Sequence, residues 1–141
     1  MTILGLDIGE KRTGVAISNE ISLLCTPLEY ISSNDNFLEK ISNIIQEKKV
    51  KKIIIGLPKL LSGKEGERAK FSRSISNLIK SNHKAIKVIL WDERLTTKQA
   101  EKYLLETMTN KKKIKEKIDS ASAVLILENY LAAKGRSWNK L

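Results

Sequence analysis

Ile3-Leu4-Gly5-Leu6-Asp7-Ile8, then Gly9-Glu10-Lys11-Arg12-Thr13-Gly14 and Val15-Ala16-Ile17, is the stretch whose reading decides the fold. The first six residues are an apolar run with the composition of a strand buried on both faces. Gly9 to Gly14 turns the chain, and Val15 to Ile17 reads as a second strand running back beside the first. Asp7 stands inside the buried strand, flanked by Leu6 and Ile8. An ionised carboxylate loses hydration there, a cost tolerated only where a cation or hydrogen-bond donors offset it. Lys11 and Arg12 lie in the adjoining turn. The N-terminus thus sets an acid on a rigid strand beside a basic, glycine-bounded loop, a combination suited to a metal and a phosphate. A plainer reading stands beside it: a strand-end acid that hydrogen-bonds a neighbouring turn.

Outward from this hairpin, Leu23 to Tyr30 reads as a third strand, and Pro27 assigns it to a sheet edge because proline cannot donate to a ladder. Ser32-Ser33-Asn34-Asp35 supplies a helix start, and Phe37, Leu38, Ile41, Ile44 and Ile45 follow at helical spacing. Lys48 to Lys52 reads as the solvated, cationic end of that helix. Ile53-Ile54-Ile55-Gly56-Leu57-Pro58 is a second buried strand. Ser62 and Glu65 fit a capping box for a helix with Phe71, Ile75, Leu78 and Ile79 on one face. His83, in a polar turn with no Cys or His at ligand spacing, reads as a surface residue. Lys87 to Trp91 is the last strand and runs into Asp92-Glu93-Arg94, the place where open α/β sheets put their chemistry. A helix is expected from Thr96 through Met108. Lys111 to Lys117 has almost no apolar content and reads as a basic loop. A final helix opens at Ile118-Asp119, carries apolar residues around much of its circumference, and is expected to stop at Gly135.

Three strands on short links make an antiparallel meander, and the later strands, alternating with helices, should run parallel to the first. The expected architecture is an α/β fold in one domain over 1–141, a five-stranded mixed sheet of order 3-2-1-4-5 flanked by helices. Such a sheet brings Asp7, Glu93 and Asp119 toward one rim.

Composition narrows the partners. The 141 residues carry a formal net charge of +10. Half of that excess falls on residues 111–141, which hold eight Lys/Arg and three acids. That points to a polyanion, and the 5% aromatic content argues for backbone contacts over an extended stacking platform. No apolar stretch approaches the roughly 20 residues of a membrane span. No secretory pattern precedes the first strand, and the single cysteine, Cys25, cannot form an internal disulfide. The cytoplasm is the expected compartment.

Four ordered motifs then converge: Leu4 to Gly9 with Lys11 to Ala16; Gly56-Leu57-Pro58 with Gly63 and Gly66; Asp92-Glu93-Arg94-Leu95-Thr96-Thr97; and Ile118-Asp119-Ser120-Ala121 through Leu127. Together they resemble the YqgF family, which has a ribonuclease H-like fold and includes proteins described as pre-16S ribosomal RNA nucleases and as Holliday junction resolvases. The resemblance implies that Asp7, Glu93 and Asp119 are the catalytic acids and ligands of Mg²⁺ or Mn²⁺, with Asp92 as the fallback for Glu93. Two departures stand out. Leu60 and Ser62 replace an Asn and an Asp usual in the family, and Ser122 replaces an Ala; neither is expected to touch the acids.

Three carboxylates at one rim repel each other unless hard cations neutralise them. Two such ions, roughly 3.5–4 Å apart, can act on one phosphodiester. Lys11, Arg12, Arg94, Lys111, Lys112, Lys113 and Lys115 are then expected to hold flanking phosphates. The expected function is a metal-dependent nuclease in precursor 16S rRNA processing, acting as a monomer or weak homodimer. The alternatives are a Holliday junction endonuclease, which requires a two-fold dimer, and a non-catalytic RNA-binding or transcription-associated module. An actin-like or sugar-kinase ATPase shares the hairpin but needs a second lobe, for which 141 residues leave no room.

Overall fold

The computed structural model describes residues 1–19, 24–33, 36–58, 62–93 and 111–139; side chains at 93, 111–119 and 135–139 lie outside the described set. Strand β1 (Thr2–Ile8) pairs antiparallel with β2 (Arg12–Asn19), which pairs antiparallel with β3 (Thr26–Ser32). On its other side β1 runs parallel to β4 (Val50–Pro58), and β4 parallel to β5 (Lys87–Glu93). The sheet order is 3-2-1-4-5, as the spacing of the strands predicts. Pro27 sits on the edge strand. Helices α1 (Phe37–Lys48), α2 (Glu67–Asn82) and α3 (Lys111–Asn139) complete the described elements. The helix expected over Thr96 to Met108 falls outside the described residues. No helix among them is long and apolar enough to cross a membrane.

Strand alternation divides the core in two. Leu4, Leu6 and Ile8 of β1 pack with Ile53, Ile55, Phe37, Ile41 and Ile79 on the face of α1 and α2. Ile3 and Ile54 pack with Ala123, Val124, Leu127 and Tyr130 of α3 on the other. Helix α3 lies very close to β1. A Cβ added at Gly5 would stand 3.1 Å from the Ala123 carbonyl oxygen and 3.2 Å from the Leu127 Cβ. The Ser120 hydroxyl fixes the helix along its length: it accepts from the Val15 N–H at 3.2 Å and donates to the Leu28 carbonyl at 2.6 Å. Those two residues are partners across β2 and β3, beside the register shift between Thr13 and Val15.

Several local expectations are corrected. Lys111 to Lys117 is helical, the opening turns of α3, because lysine and glutamate are good helix formers whether or not they cover a core. Gly135 does not stop that helix, which runs to Asn139. Lys52 is no part of a solvated helix end: it lies buried in β4, its Nζ 3.3 Å from the Tyr130 hydroxyl. The capping box expected of Ser62 and Glu65 does not form: Gly66 precedes α2 without a side-chain bond, and Glu65 pairs with Arg73 instead. On α2 the buried residues are Ala69, Ser72, Ser76 and Ile79, while Phe71 and Leu78 are exposed. Small residues win that face because they let the helix approach the sheet closely. His83 is half-buried and shares a 2.9 Å hydrogen bond with Ser42. Cys25 is a buried free thiol whose pKa burial raises to about 11, against the lowering effect of a Ser18 hydrogen bond. It stays protonated at neutral pH.

Candidate active site at the sheet rim

Ile3, Gly5 and Asp7 alternate with Leu4, Leu6 and Ile8, so Asp7 belongs to the face that α3 covers. It sits near the C-terminal end of the central strand, opposite Gly14 of β2. Its side chain is 20% exposed. Burial raises its pKa above the ordinary carboxylate value, and two partners pull it back: the Arg68 guanidinium and a hydrogen bond from Ser122. The Arg68 contact is long, 4.0 Å from Nη2 to Oδ1, and the arginine is 65% exposed. Among the described residues, the one cation set against this largely buried carboxylate is the distant Arg68 guanidinium. A hard divalent cation fits there, since it would favour the ionised form and take carboxylate oxygens as ligands.

The turn after Asp7 is built rigidly. The Gly9 N–H donates to the Arg12 carbonyl at 3.0 Å, and a Cβ at Gly9 would stand 2.6 Å from that same oxygen, so the closure requires glycine. Ser33 ties the turn to the end of β3: its hydroxyl donates to the Gly9 carbonyl at 2.8 Å and its N–H to the Lys11 carbonyl at 2.9 Å. Lys11 and Arg12 are exposed on this platform. The Arg12 guanidinium lies 5.1 Å from the centre of the Tyr30 ring, beside an open hollow lined by Glu10, Lys11, Tyr30, Ser32 and Ser33.

The structure brings the remaining expected residues together only at the level of backbone. Leu57 pairs with Asp92 and Pro58 with Glu93. Ile89 and Trp91 pack toward α3 while Val88 and Leu90 pack toward α2, so position 93 belongs to the face of Asp7 and position 92 to the opposite one. Position 119 lies on α3 one turn before Ser122, the residue that bonds Asp7. Lys111, Lys112, Lys113 and Lys115 occupy the opening turns of α3, and Arg94 falls outside the described residues. Two site residues were not anticipated. Arg68 carries no local signal, being one cation on an exposed helix. Ser122, a departure from the family pattern expected to leave the acids alone, instead has its hydroxyl close enough to Asp7 to lower the pKa of that carboxyl.

A family model described as "RuvX: Holliday junction resolvase" matches residues 1–133. The chain belongs to the RuvX family. RuvX is another name for the YqgF family, so the resemblance read from the motifs is borne out. A Sulfurihydrogenibium protein bearing the name "Putative pre-16S rRNA nuclease" is 49% identical over 130 residues, 92% of this chain and 88% of that relative. A Bacillus subtilis protein of the same name is 38% identical over 135 residues, covering 93% and 97%. Among solved structures, the Fowlpox virus resolvase complexed with Holliday junction DNA superposes with a TM-score of 0.64 at 18% identity, over 94% of this chain and 98% of that one. The Thermus thermophilus RuvC complex with its junction substrate gives 0.58 at 14% identity, over 95% and 96%. At that identity these two establish the fold, a ribonuclease H-like one. As a RuvX member the chain is a nuclease, and its partner class is nucleic acid.

Proposed function

We propose that residues 1–141 work as one nuclease domain that hydrolyses phosphodiester bonds of precursor 16S ribosomal RNA in the cytoplasm, using Mg²⁺ or Mn²⁺, as a monomer or weak homodimer. The observation that carries this reading is the Asp7 carboxylate, largely buried at the rim of the central strand with the Arg68 guanidinium no nearer than 4.0 Å. The names of the relatives supply the substrate.

Asp7 is the ligand we assign to the centre of the cation site, with Glu93 and Asp119 completing it. Register supports Glu93 over Asp92, and helical spacing from Ser122 supports Asp119. Bound divalent cations supply activation of a water and neutralisation of the charge that builds on the phosphate and the leaving oxygen. The chain's own residues do the rest. The Gly9 closure and the Ser33 tie hold Lys11 and Arg12 where a flanking phosphate would pass. Lys111, Lys112, Lys113, Lys115 and Arg94 are the further cations we assign to flanking phosphates, giving affinity that falls steeply with salt.

The test is cleavage of a precursor 16S rRNA fragment and of a four-way DNA junction, each with Mg²⁺, with Mn²⁺ and with EDTA. Asp7→Asn and Asp119→Asn should each abolish metal-dependent cleavage and leave the circular dichroism spectrum unchanged. Activity kept by either variant removes that residue from the ligand set. The description of the matching family favours a second reading, junction resolution. Paired symmetrical cuts in the junction by a two-fold dimer, with the RNA left intact, would replace the first reading by the second.

A further inference from the structure

We propose that Arg68 binds a non-bridging oxygen of the phosphate being cleaved, and that its contact with Asp7 is the resting position it leaves when a divalent cation arrives. This rests on the nuclease reading above and adds to it a substrate contact from α2.

The placement is the first argument. Arg68 belongs to the first turn of α2, a helix on the face opposite to Asp7, yet its guanidinium reaches the carboxylate at the C-terminal end of β1. It therefore stands at the rim where a bound phosphodiester would have to lie. The quality of the contact is the second argument. At 4.0 Å the pair is outside hydrogen-bond range, and with the arginine 65% exposed water screens it, so the contact adds little to stability. Arg73, little more than a turn further along α2, shows what an engaged arginine looks like: two hydrogen bonds to Glu65, at 2.6 and 2.8 Å. Among the described residues Arg68 has the Asp7 contact and no hydrogen bond. Its planar fork of donors, the shape that matches two phosphate oxygens, is uncommitted.

Charge decides the direction of exchange. A divalent cation on Asp7 repels the guanidinium and takes over its partner, while a phosphodiester brings a new anion to the same rim. A purely structural ion pair predicts something different, since there Arg68 helps shape Asp7 for the cation.

Two readouts of opposite sign separate these cases. Mn²⁺ titrated calorimetrically into nucleic-acid-free protein should bind Arg68→Ala at least as tightly as wild type, about 2–5-fold tighter if the competing cation is removed. Single-turnover cleavage of the precursor rRNA fragment at saturating protein should fall roughly 10²-fold in Arg68→Ala, with partial recovery in Arg68→Lys. Cleavage by Arg68→Ala within twofold of wild type overturns the proposal, and so does a tenfold loss of Mn²⁺ affinity, which marks a structural role. Asp7→Asn, run alongside, tests the underlying reading separately: if it still cleaves, the cation site is wrong whatever Arg68 does. Should Arg68→Ala fold poorly, Arg68→Gln provides the same comparison with a neutral side chain of similar reach.

Discussion

The two faces of one sheet treat the same side chain in opposite ways. On the side of α1 and α2, three buried hydroxyls, those of Thr13, Ser72 and Ser76, have no hydrogen-bond partner. On the side of α3, the Ser120 hydroxyl bridges Val15 and Leu28, and the Ser122 hydroxyl reaches Asp7. The first face is sealed by branched aliphatics, Leu4, Leu6, Ile53, Ile55, Ile41 and Ile79, and its serines serve by being small. The second is built on close approach at Gly5, Ala121 and Ala123, and its serines hold α3 in register with the rim. One face supplies cohesion, and the other positions chemistry.

The largest effect should come from the cohesive face. Leu6 is fully buried, so Leu6→Ala removes transfer free energy and leaves a cavity, costing about 3–5 kcal/mol. Urea denaturation should show that loss, while cleavage per folded molecule stays close to wild type. The sharper test makes one substitution on both faces. Ser120→Ala strands the Val15 N–H and the Leu28 carbonyl and should cost about 1–3 kcal/mol. Ser72→Ala and Ser76→Ala remove unsatisfied hydroxyls from a helix and should each stabilise by on the order of 1 kcal/mol. Equal signs for the three would erase the distinction.

That distinction was half legible in the sequence. The apolar runs Ile3–Ile8 and Ile53–Leu57, the edge proline and the acid in the central strand are local signals, and local signals gave the sheet order and Asp7. The corrections share a cause: each depends on what an element packs against. Phe71, Ile75, Leu78 and Ile79 repeat at helical spacing, but α2 turns Ala69, Ser72, Ser76 and Ile79 inward and leaves Phe71 and Leu78 exposed. Lys111 to Lys117 lacks an apolar stripe, yet propensity alone permits a helix to extend past the part that α3 buries. Arg68 meets Asp7 only after β4 and α2 have folded, and no spacing in the chain announces a contact between residues so far apart.

A smaller effect concerns Asp7 and pH. Burial raises its pKa in the folded protein above the unfolded value of 3.8, so the native state holds this proton more tightly than the unfolded chain does. Its contribution is then most favourable below the unfolded value and is lost as pH rises through the raised one. At pH 7 in EDTA the buried carboxyl therefore costs stability, and Asp7→Asn should melt at a higher temperature than wild type. The gap should close as pH falls toward the raised value. Saturating Mn²⁺ should reverse it, because only the wild type gains binding energy, about 2.7 kcal/mol at a hundredfold excess over Kd. A wild type that gains nothing from Mn²⁺ would remove the cation from Asp7.

The smallest effect is the most specific to this chain. Ser122, which the motif comparison with the family marks as a departure, is tested by Ser122→Ala, which deletes one donor to Asp7. That donor lowers the Asp7 pKa; its loss should raise the pKa further and weaken Mn²⁺ binding at pH 6 more than at pH 8, where the carboxylate is more fully ionised in both proteins. The loss should stay below about tenfold, the lower end of what outer-sphere hydrogen bonds to metal ligands contribute. Stability should hardly move, in contrast with Ser120→Ala two residues away. A pH-independent change in Mn²⁺ affinity would mean that Ser122 acts by shaping the rim, and the serines of this face would then be structural on both sides of Ala121.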